Sequence, residues 1–311
     1  MAVSKMVGLM SKYGYNYEVM AILTKPPTHI FILANSDLPK ACQLAGEIST
    51  YLTSLGADCE QGAFNFDTDQ PVVQLDGFDL LIALGGDGTM LRSGHLCAPL
   101  DIPLLGINVG RFGFLVELND TEWREMLPLI LEGQYRLEKR MMLQADFIQA
   151  GKKAGSWDVI NELVVCRGQY VRPIELRVDA NEAYLTSYHA DGLIAATATG
   201  STAYALAAGG PILPPELRNI LLMPIAPHLS LDRAVVLAEG ASICISVKTD
   251  HEAVFSVDGQ DPILMHNEDK VLVTANKKSL QMVRFQEPNF FYRNLTAYME
   301  NNPITKIKRE G

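Results

Sequence analysis

Residues 79–90 read Asp79-Leu-Leu-Ile-Ala-Leu-Gly-Gly-Asp-Gly-Thr-Met90, and their reading decides the fold. Leu80–Leu84 is an apolar run of strand length, suited to burial on both faces of a parallel sheet. It stops at Gly85-Gly86-Asp87-Gly88-Thr89, after which the sequence predicts a helix from Met90 to Cys97. A strand, a glycine turn and a helix start make a phosphate site. Glycines let backbone N–H groups approach an anion, and the helix N-terminus adds partial positive charge. Asp87 is a poor neighbour for phosphate. Its task is to take a proton from an attacking hydroxyl, to hold a magnesium ion, or to cap the helix. The spacing matches neither Gly-x-x-x-x-Gly-Lys-Ser/Thr nor Gly-x-Gly-x-x-Gly.

Outward from this stretch, strands alternate with helices. His29–Ala34 is a second buried-strand run. Pro39 then fits the first turn of a helix carrying Leu44, Ile48, Tyr51, Leu52 and Leu55, which Gly56 ends. Pro103–Ile107 is a further strand, leading into Asn108-Val-Gly-Arg-Phe-Gly-Phe-Leu115. The next helix is expected near Asn119, with Glu122 three residues on as in a capping box, burying Trp123, Leu127, Ile130 and Leu131. Residues 1–135 therefore read as an α/β domain with a parallel, doubly wound sheet, although residues 1–27 show no sustained period and form an extension of unknown role. After Gly133 the period becomes two. Ile174, Leu176 and Val178 alternate with polar residues, as do Ile243, Ile245 and Val247, then Val271 and Val273, with turns at Asp179–Asn181 and His266–Asp269. That pattern predicts a β-rich, β-sandwich-like domain over 136–275.

Two stretches interrupt this second domain. A strand at Leu193–Ala196 runs into Thr197-Ala-Thr-Gly-Ser-Thr202, and a short alanine-rich helix ends at Gly209-Gly210-Pro211. Hydroxyls and glycine at a helix start offer several donors, and the alanines let a flat ligand or another backbone come close; a well-capped helix packed on a sheet has the same sequence. Asn161-Glu162 is a polar pair between Val159-Ile160 and Leu163-Val164-Val165, which costs free energy unless both groups find partners; a bulge or turn explains it equally well.

The 311 residues exceed what one core usually supports, and 48% hydrophobic with 20% charged residues describes an ordinary globular protein. A net charge of −10 argues against non-specific binding to nucleic acid or anionic membrane. An anionic ligand must then be held by local amides and a few placed cations. Cys42, Cys59, Cys97, Cys166 and Cys244 show no Cys-x-x-Cys spacing, which suits buried thiols in a reducing cytoplasm. Neither a membrane span nor a signal peptide is legible, so the expectation is a cytoplasmic protein.

From about Thr28 to Asn294 the chain closely resembles the NAD kinases, which transfer a phosphoryl group to the 2′-hydroxyl of the adenosine ribose of NAD. The resemblance rests on Gly85-Gly-Asp-Gly-Thr89, Asn108 with Gly113-Phe-Leu115, Asn161-Glu162, Asp191-Gly192, Thr199-Gly-Ser-Thr-Ala-Tyr204, Pro224-Ile-Ala-Pro-His228 and Ser256-Val-Asp-Gly259. Diacylglycerol-type lipid kinases share the glycine motif but not the Asn-Glu pair. The resemblance implies that Asp87 accepts the 2′-hydroxyl proton, with Gly85, Gly86, Gly88 and Thr89 shaping the phosphate turn. It places Phe114, Asn161, Glu162, Thr202, Ala203 and Tyr204 around the adenosine half of NAD. Asp191 and, from a neighbouring subunit, Ala226 fall near the nicotinamide half. Arg92, Arg172, His189 and Gln260 match further dinucleotide positions. It also implies ATP as donor, with Mg²⁺ carried on ATP near Asp87 and not in a protein cage, and a C-terminal segment, 276–311, that rejoins the first domain.

Three positions depart from the family. Ala198 replaces a common proline, Ala207 a common ligand-bonding serine, and Arg111-Phe112 a small or polar residue followed by leucine. The apolar run Ile220–Ala226 would be an aggregation liability if exposed, which with the implied role of Ala226 leads to an expected homodimer or homotetramer. A lipid kinase and a non-catalytic dinucleotide sensor are the alternatives. Polyphosphate in place of ATP, and NADH in place of NAD, are left open by the sequence.

Overall fold

The computed structural model describes residues 24–64, 73–110, 113–228, 233–287 and 290–301; Arg111-Phe112 and most of the N-terminal extension lie outside them. The chain divides into two compact units. One runs to Lys139 and resumes at Leu280, and the other is Arg140–Ser279.

The first unit contains β1 (His29–Asn35), α1 (Pro39–Ser54), β2 (Asp58–Phe64), β3 (Leu80–Gly85), α2 (Asp87–Cys97), β4 (Leu104–Asn108), β5 (Leu118–Asn119) and α3 (Trp123–Leu131). Its parallel strands lie in the order β2-β1-β3-β4. All six residues of β3 are buried, because each face of the sheet is covered. Ile30, Ile32, Ile82, Leu84, Leu105 and Ile107 share one apolar cluster with the buried sides of α1 and α3. Leu33, Leu81, Ala83 and Leu104 alternate with them and are equally buried. On that second face a Cβ at Gly106 would sit 2.5 Å from Met90 Sδ, which puts α2 there and makes the sheet doubly wound. Pro39 is in the first turn of α1, where no N–H is needed, and Gly56 at φ +94° takes the chain out of the helix. Leu55, expected on the buried stripe, is instead exposed. The capping pair Asn119–Glu122 closes, with Glu122 Oε2 accepting the Asn119 N–H at 3.0 Å. It does so in the turn before the helix, which begins only at Trp123.

The second unit is built from β6 (Arg136–Gln149), β7 (Lys152–Val159), β8 (Glu162–Arg167), β9 (Ile174–Ala180), β10 (Ala183–Ala190), β11 (Gly192–Ala196), a single helical turn α4 (Tyr204–Ala207), β12 (Asn219–Ile225), β13 (Val235–Ala238), β14 (Ile243–Lys248), β15 (Ala253–Val257), β16 (Ile263–Met265) and β17 (Lys270–Arg284); α5 (Phe290–Asn301) comes after it. The strands β6 and β17 contribute residues to both units, and in the first unit Met282 pairs in parallel with Leu104 of β4. One antiparallel sheet has the order β13-β12-β11-β8-β15-β16. Against it pack β10, β9, β14 and the start of β17, and the period-two residues Leu176, Val178, Ile245, Val271 and Val273 share a core with Leu163, Val165 and Phe255. The β9–β10 hairpin turns on Asn181 and Glu182, both at positive φ, two residues of the type I′ kind.

Two expectations change here. The run Ile220–Ala226 needs no partner for cover, because β12 lies inside its own sheet with Ile220, Leu221 and Leu222 fully buried. Of the cysteines only Cys97 is buried; Cys42 is exposed and the other three are half-buried. No helix among the described residues is long and apolar enough to cross a membrane.

Leu222→Ala is expected to cost about 2–5 kcal/mol, the usual range for a buried leucine. Because the covering residues come from the same chain, the drop in Tm should be equal at all protein concentrations. A drop that grows on dilution would place β12 at a subunit interface.

Candidate active site

The glycine motif folds more tightly than its sequence suggests. Helix α2 begins at Asp87, three residues before Met90, with extended Gly86 as its N-cap and no side-chain cap among the described residues. Asp87 therefore does not cap the helix. Its carboxylate turns to the 113–115 segment, where Oδ2 accepts the Phe114 N–H and Oδ1 the Leu115 N–H, each at 2.9 Å. Two glycines are required for this packing. A Cβ on Gly113 would overlap the Asp87 carboxylate, and one on Gly85 would overlap Thr89, whose side chain is buried under the turn. Gly86 is half-buried and Gly88 exposed, so the open side of the turn carries backbone alone. Phe114 is half-buried and Arg92 lies exposed on α2. Among the described residues no three histidine, cysteine, aspartate or glutamate side chains converge as a metal cage.

In the second unit the Asn161-Glu162 pair sits on the bend between β7 and β8. Its N–H groups are taken by a residue with no role assigned from the sequence, Asp258. The Asp258 carboxylate accepts the amides of Ile160 at 2.8 Å, Asn161 at 2.8 Å and Glu162 at 3.0 Å. The carbonyls of the bend are met as well, Ile160 O by the Thr197 hydroxyl at 2.7 Å and Asn161 O by the Thr197 N–H at 2.9 Å. Asp258 is delivered by a two-residue turn between β15 and β16, Asp258 at φ +50° and Gly259 at φ +71°, closed by Gln260 N–H to Val257 O at 2.9 Å. Asp-Gly is the dipeptide this turn favours, so the signal for it is present in the sequence.

Glu162 is the exception in a satisfied neighbourhood. It is buried, and its Oε2 has no hydrogen-bond partner among the described residues. Burial pushes its pKa from 4.5 up to about 8, and the charge of Asp258 adds to the rise, against the opposing Tyr204 N–H. At neutral pH Glu162 is a carboxylic acid, able to donate as well as accept.

The Thr197–Thr202 segment crosses directly over this pair, and a Cβ on Gly200 would overlap the Asn161 backbone. Its hydroxyls are not offered outward. Thr197 accepts the Gly200 N–H, Ser201 donates to Ala198 O and Thr202 donates to Thr199 O. Ala203 and Tyr204 come next, and Ala207 is exposed at the end of α4. The structure thus brings Asn161, Glu162, Thr202, Ala203 and Tyr204 together. Asp191 belongs to the other end of the sheet, since Glu162 pairs with Ala196 and Cys166 with Gly192, four residues or about 13 Å along the strand. There Asp191 faces Arg167 at 3.1 Å, and its N–H donates to Ile225 O. Beyond Ile225 stands Ala226, exposed and at φ +45°. Tyr204 links the two ends: burial first, then the negative charge of Cys166, Asp191 and Glu162, raises its hydroxyl pKa. His189 is exposed on β10, with its carbonyl accepting the His228 N–H. Gln260 is exposed in the Asp258 turn. Arg172 stands apart, in a shallow surface hollow of about 670 Å³ shared with Tyr170, His251 and His266.

The raised pKa of Glu162 has a thermodynamic signature. Between pH 4.5 and about 8 the unfolded chain has lost this proton and the folded chain keeps it, so stability falls as pH rises through that window. The slope due to this group is at most about 1.4 kcal/mol per pH unit. Glu162→Gln, which cannot ionise, should remove that fall in the ligand-free protein and be more stable than wild type at pH 8. Parallel Tm–pH curves for the two proteins would show that Glu162 titrates normally.

Residues 57–135 match the family model of the ATP-NAD kinase N-terminal domain, and residues 160–285 that of the ATP-NAD kinase C-terminal domain. An NAD kinase of Dehalococcoides mccartyi is 36% identical over 266 residues, covering 85% of this chain and 93% of its own. An NAD kinase of Chloroflexus aggregans is 36% identical over 273 residues, 88% of this chain and 99% of its own. Among solved structures, yeast NADH kinase complexed with NADH superposes with a TM-score of 0.78 at 23% identity, covering 90% of this chain and 89% of its own. An Archaeoglobus fulgidus NAD kinase in complex with ATP superposes with a TM-score of 0.71 at 24% identity, covering 88% and 99%. Both share the fold of this chain. With both family models matched along most of its length, and these relatives aligned nearly end to end, the chain belongs to the NAD kinase family.

Proposed function

We propose that this protein phosphorylates NAD, transferring the γ-phosphoryl group of ATP to the 2′-hydroxyl of the adenosine ribose to give NADP. The observation that carries the reading, beside family membership, is the buried carboxyl of Glu162 next to Tyr204, its Oε2 without a partner among the described residues. A buried polar atom left unpaired costs about 1–3 kcal/mol, and a ligand with both donors and acceptors relieves that cost. The amino, ring-nitrogen and hydroxyl groups of adenosine are such a set, while an acyl chain has nothing to offer there. Asn161, Thr202, Ala203 and Tyr204 complete the adenosine contacts, Ala207 leaving the ligand without a hydroxyl at its position. Phe114, Arg92, Arg172, His189 and Gln260 are proposed as further dinucleotide contacts.

Asp87 is assigned as the proton acceptor. The Phe114 and Leu115 amides each donate to one carboxylate oxygen, which fixes the direction in which the group points. Gly85, Gly86, Gly88 and Thr89 form the phosphate turn. The amides there would hold phosphate oxygens, and a Mg²⁺ carried on the nucleotide would supply neutralisation of their charge. The ion is proposed to travel on the nucleotide phosphates and to come near Asp87. Polyphosphate would meet the same turn in the same way. Asp191 is proposed to contact the nicotinamide half, with Ala226 of a neighbouring subunit in a homodimer or homotetramer. The left-handed backbone of Ala226, strained for a residue with a side chain, supports a special role there. Five free thiols fit a cytoplasmic setting.

Incubation with ATP, Mg²⁺ and either NAD or diacylglycerol decides the substrate: NADP should form and phosphatidic acid should not. Asp87→Asn is expected to lower kcat by roughly 10²- to 10⁴-fold with little change in NAD affinity. The amide oxygen can satisfy only one of the two N–H groups and sets an NH₂ against the other, so a stability loss of about 1–3 kcal/mol should accompany it. A variant that loses this stability yet keeps more than about a tenth of kcat would leave Asp87 a structural anchor and not a base.

A further inference from the structure

We propose that Arg284 is a positioning residue for phosphoryl transfer, clamping from behind the same peptide segment whose amides hold Asp87. The inference rests on Asp87 being the base, and every group in it lies in the first unit. Arg284 is buried, as are Glu117 and Glu138 beside it. Its Nη1 donates to Leu115 O at 3.3 Å, Val116 O at 3.5 Å and Glu117 Oε2 at 3.1 Å, while Nε donates to Glu138 Oε1 at 3.2 Å. Leu115 is therefore held twice, its N–H by Asp87 at 2.9 Å and its C=O by Arg284. The clamp is itself braced. Glu117 Oε1 accepts the N–H groups of Phe285 at 2.7 Å and Gln286 at 3.2 Å, and the Glu117 N–H donates to Gly106 O at 2.9 Å. The segment lies flush on β4, where a Cβ at Gly106 would come within 3.1 Å of Val116 Cα.

Stability alone does not account for this arrangement. The charges alternate Arg136, Glu138, Arg284 and Glu117; burying such a cluster carries a large desolvation penalty, and apolar replacements are often as stable or more so. What apolar residues cannot do is fix two consecutive carbonyls of an irregular segment. A guanidinium can, because Nη1 shares its two N–H groups among Leu115 O, Val116 O and Glu117 Oε2 while Nε, fixed in the same plane, holds Glu138; the single ammonium of lysine has three N–H groups for these four acceptors. Asp87 is aimed by the Phe114 and Leu115 amides, so freedom in that segment becomes freedom in the base.

The decisive variant is Arg284→Lys, which keeps the charge between Glu117 and Glu138 and loses the fork. It should lower kcat about tenfold or more, with KM for NAD and ATP changed less than about twofold, since misplacing a reacting group harms the transition state more than binding. In the Asp87→Asn background the same change should cost less than about twofold, because the group it positions is already gone. Amide exchange of Leu115 should quicken about tenfold in Arg284→Lys. Gln281→Ala, which removes the bond to Asp101 on the same strand, should lower Tm without either effect. If the lysine variant does not fold, Arg284→Gln with Glu117→Gln removes one charge of each sign and leaves Glu138 paired with Arg136, and it is expected to show the same exchange and kcat pattern. Unchanged exchange at Leu115, additive kcat losses, or an equal loss in Gln281→Ala would each overturn the proposal. Absence of NADP formation by the wild type is a different failure. It would refute the NAD kinase reading, while exchange at Leu115 still decides the clamp.

Discussion

Where a strand ends, the next N–H groups lose the ladder that paired them, and each one buried without a substitute costs about 1–3 kcal/mol. In this chain carboxylates supply the substitute, taking successive amides of an irregular segment. Asp79 holds Thr28 and His29 at the entrance to β1, at 2.8 and 3.2 Å. Asp87 holds Phe114 and Leu115, Asp258 holds three residues before and at the start of β8, and Glu117 holds Phe285 and Gln286 after β17. Each bond places an N–H on a carboxylate oxygen, and each joins segments far apart in sequence. The segments that carry the proposed chemistry are the ones fixed this way.

The same device has an electrostatic consequence. Asp258 satisfies the backbone of the Asn161-Glu162 bend and at the same time places a negative charge beside a buried carboxyl. Amides ordered by Asp258 make the bend possible, and its charge helps keep Glu162 protonated. One residue thus sets both the shape and the protonation state of its neighbour. Glu117 shows the balance the other way. Burial raises its pKa, but Arg284 and the amides of Phe285 and Gln286 oppose that rise. A carboxyl with a cation and two donors has a structural task, and a carboxyl left with an orphaned oxygen is poised for a ligand.

The fold is legible in the sequence because its signals are periodic. A five-residue apolar run between Asp79 and Gly85 suits a strand buried on both faces, and the switch from helical spacing to period two after Gly133 marks the β-rich unit. Boundaries are less legible. The motif glycines read as a free turn, yet Asp87–Thr89 are already helical, since Gly86 ends the strand in an extended conformation and lets the helix start at once. Ile220–Ala226 reads as an interface, because an apolar run has the same sequence in a central strand and on an exposed surface. In the site, residue types are readable and partners are not. Hydroxyls at Thr197, Ser201 and Thr202 suggest donors for a ligand, and the structure spends them on their own turn. Asp258, Glu117 and Arg284 act across 96 or more residues of chain, a separation that no local pattern reveals.

Asp87 shows why a base and an anchor are well combined in one group. A carboxylate on a flexible side chain loses rotamer freedom when a hydroxyl must be met at one angle, a loss taken from the catalysed step. Here that freedom is lost on folding, to two amides, beside a glycine whose missing side chain lets the carboxylate approach. The amides remain in place throughout, so they favour the bound substrate and the transition state alike. Their contribution is direction, and the rate gain has to come from interactions that strengthen only in the transition state. Direction is worth only as much as the stiffness of whatever holds the amides. In this unit that stiffness traces through Leu115 to a single buried guanidinium.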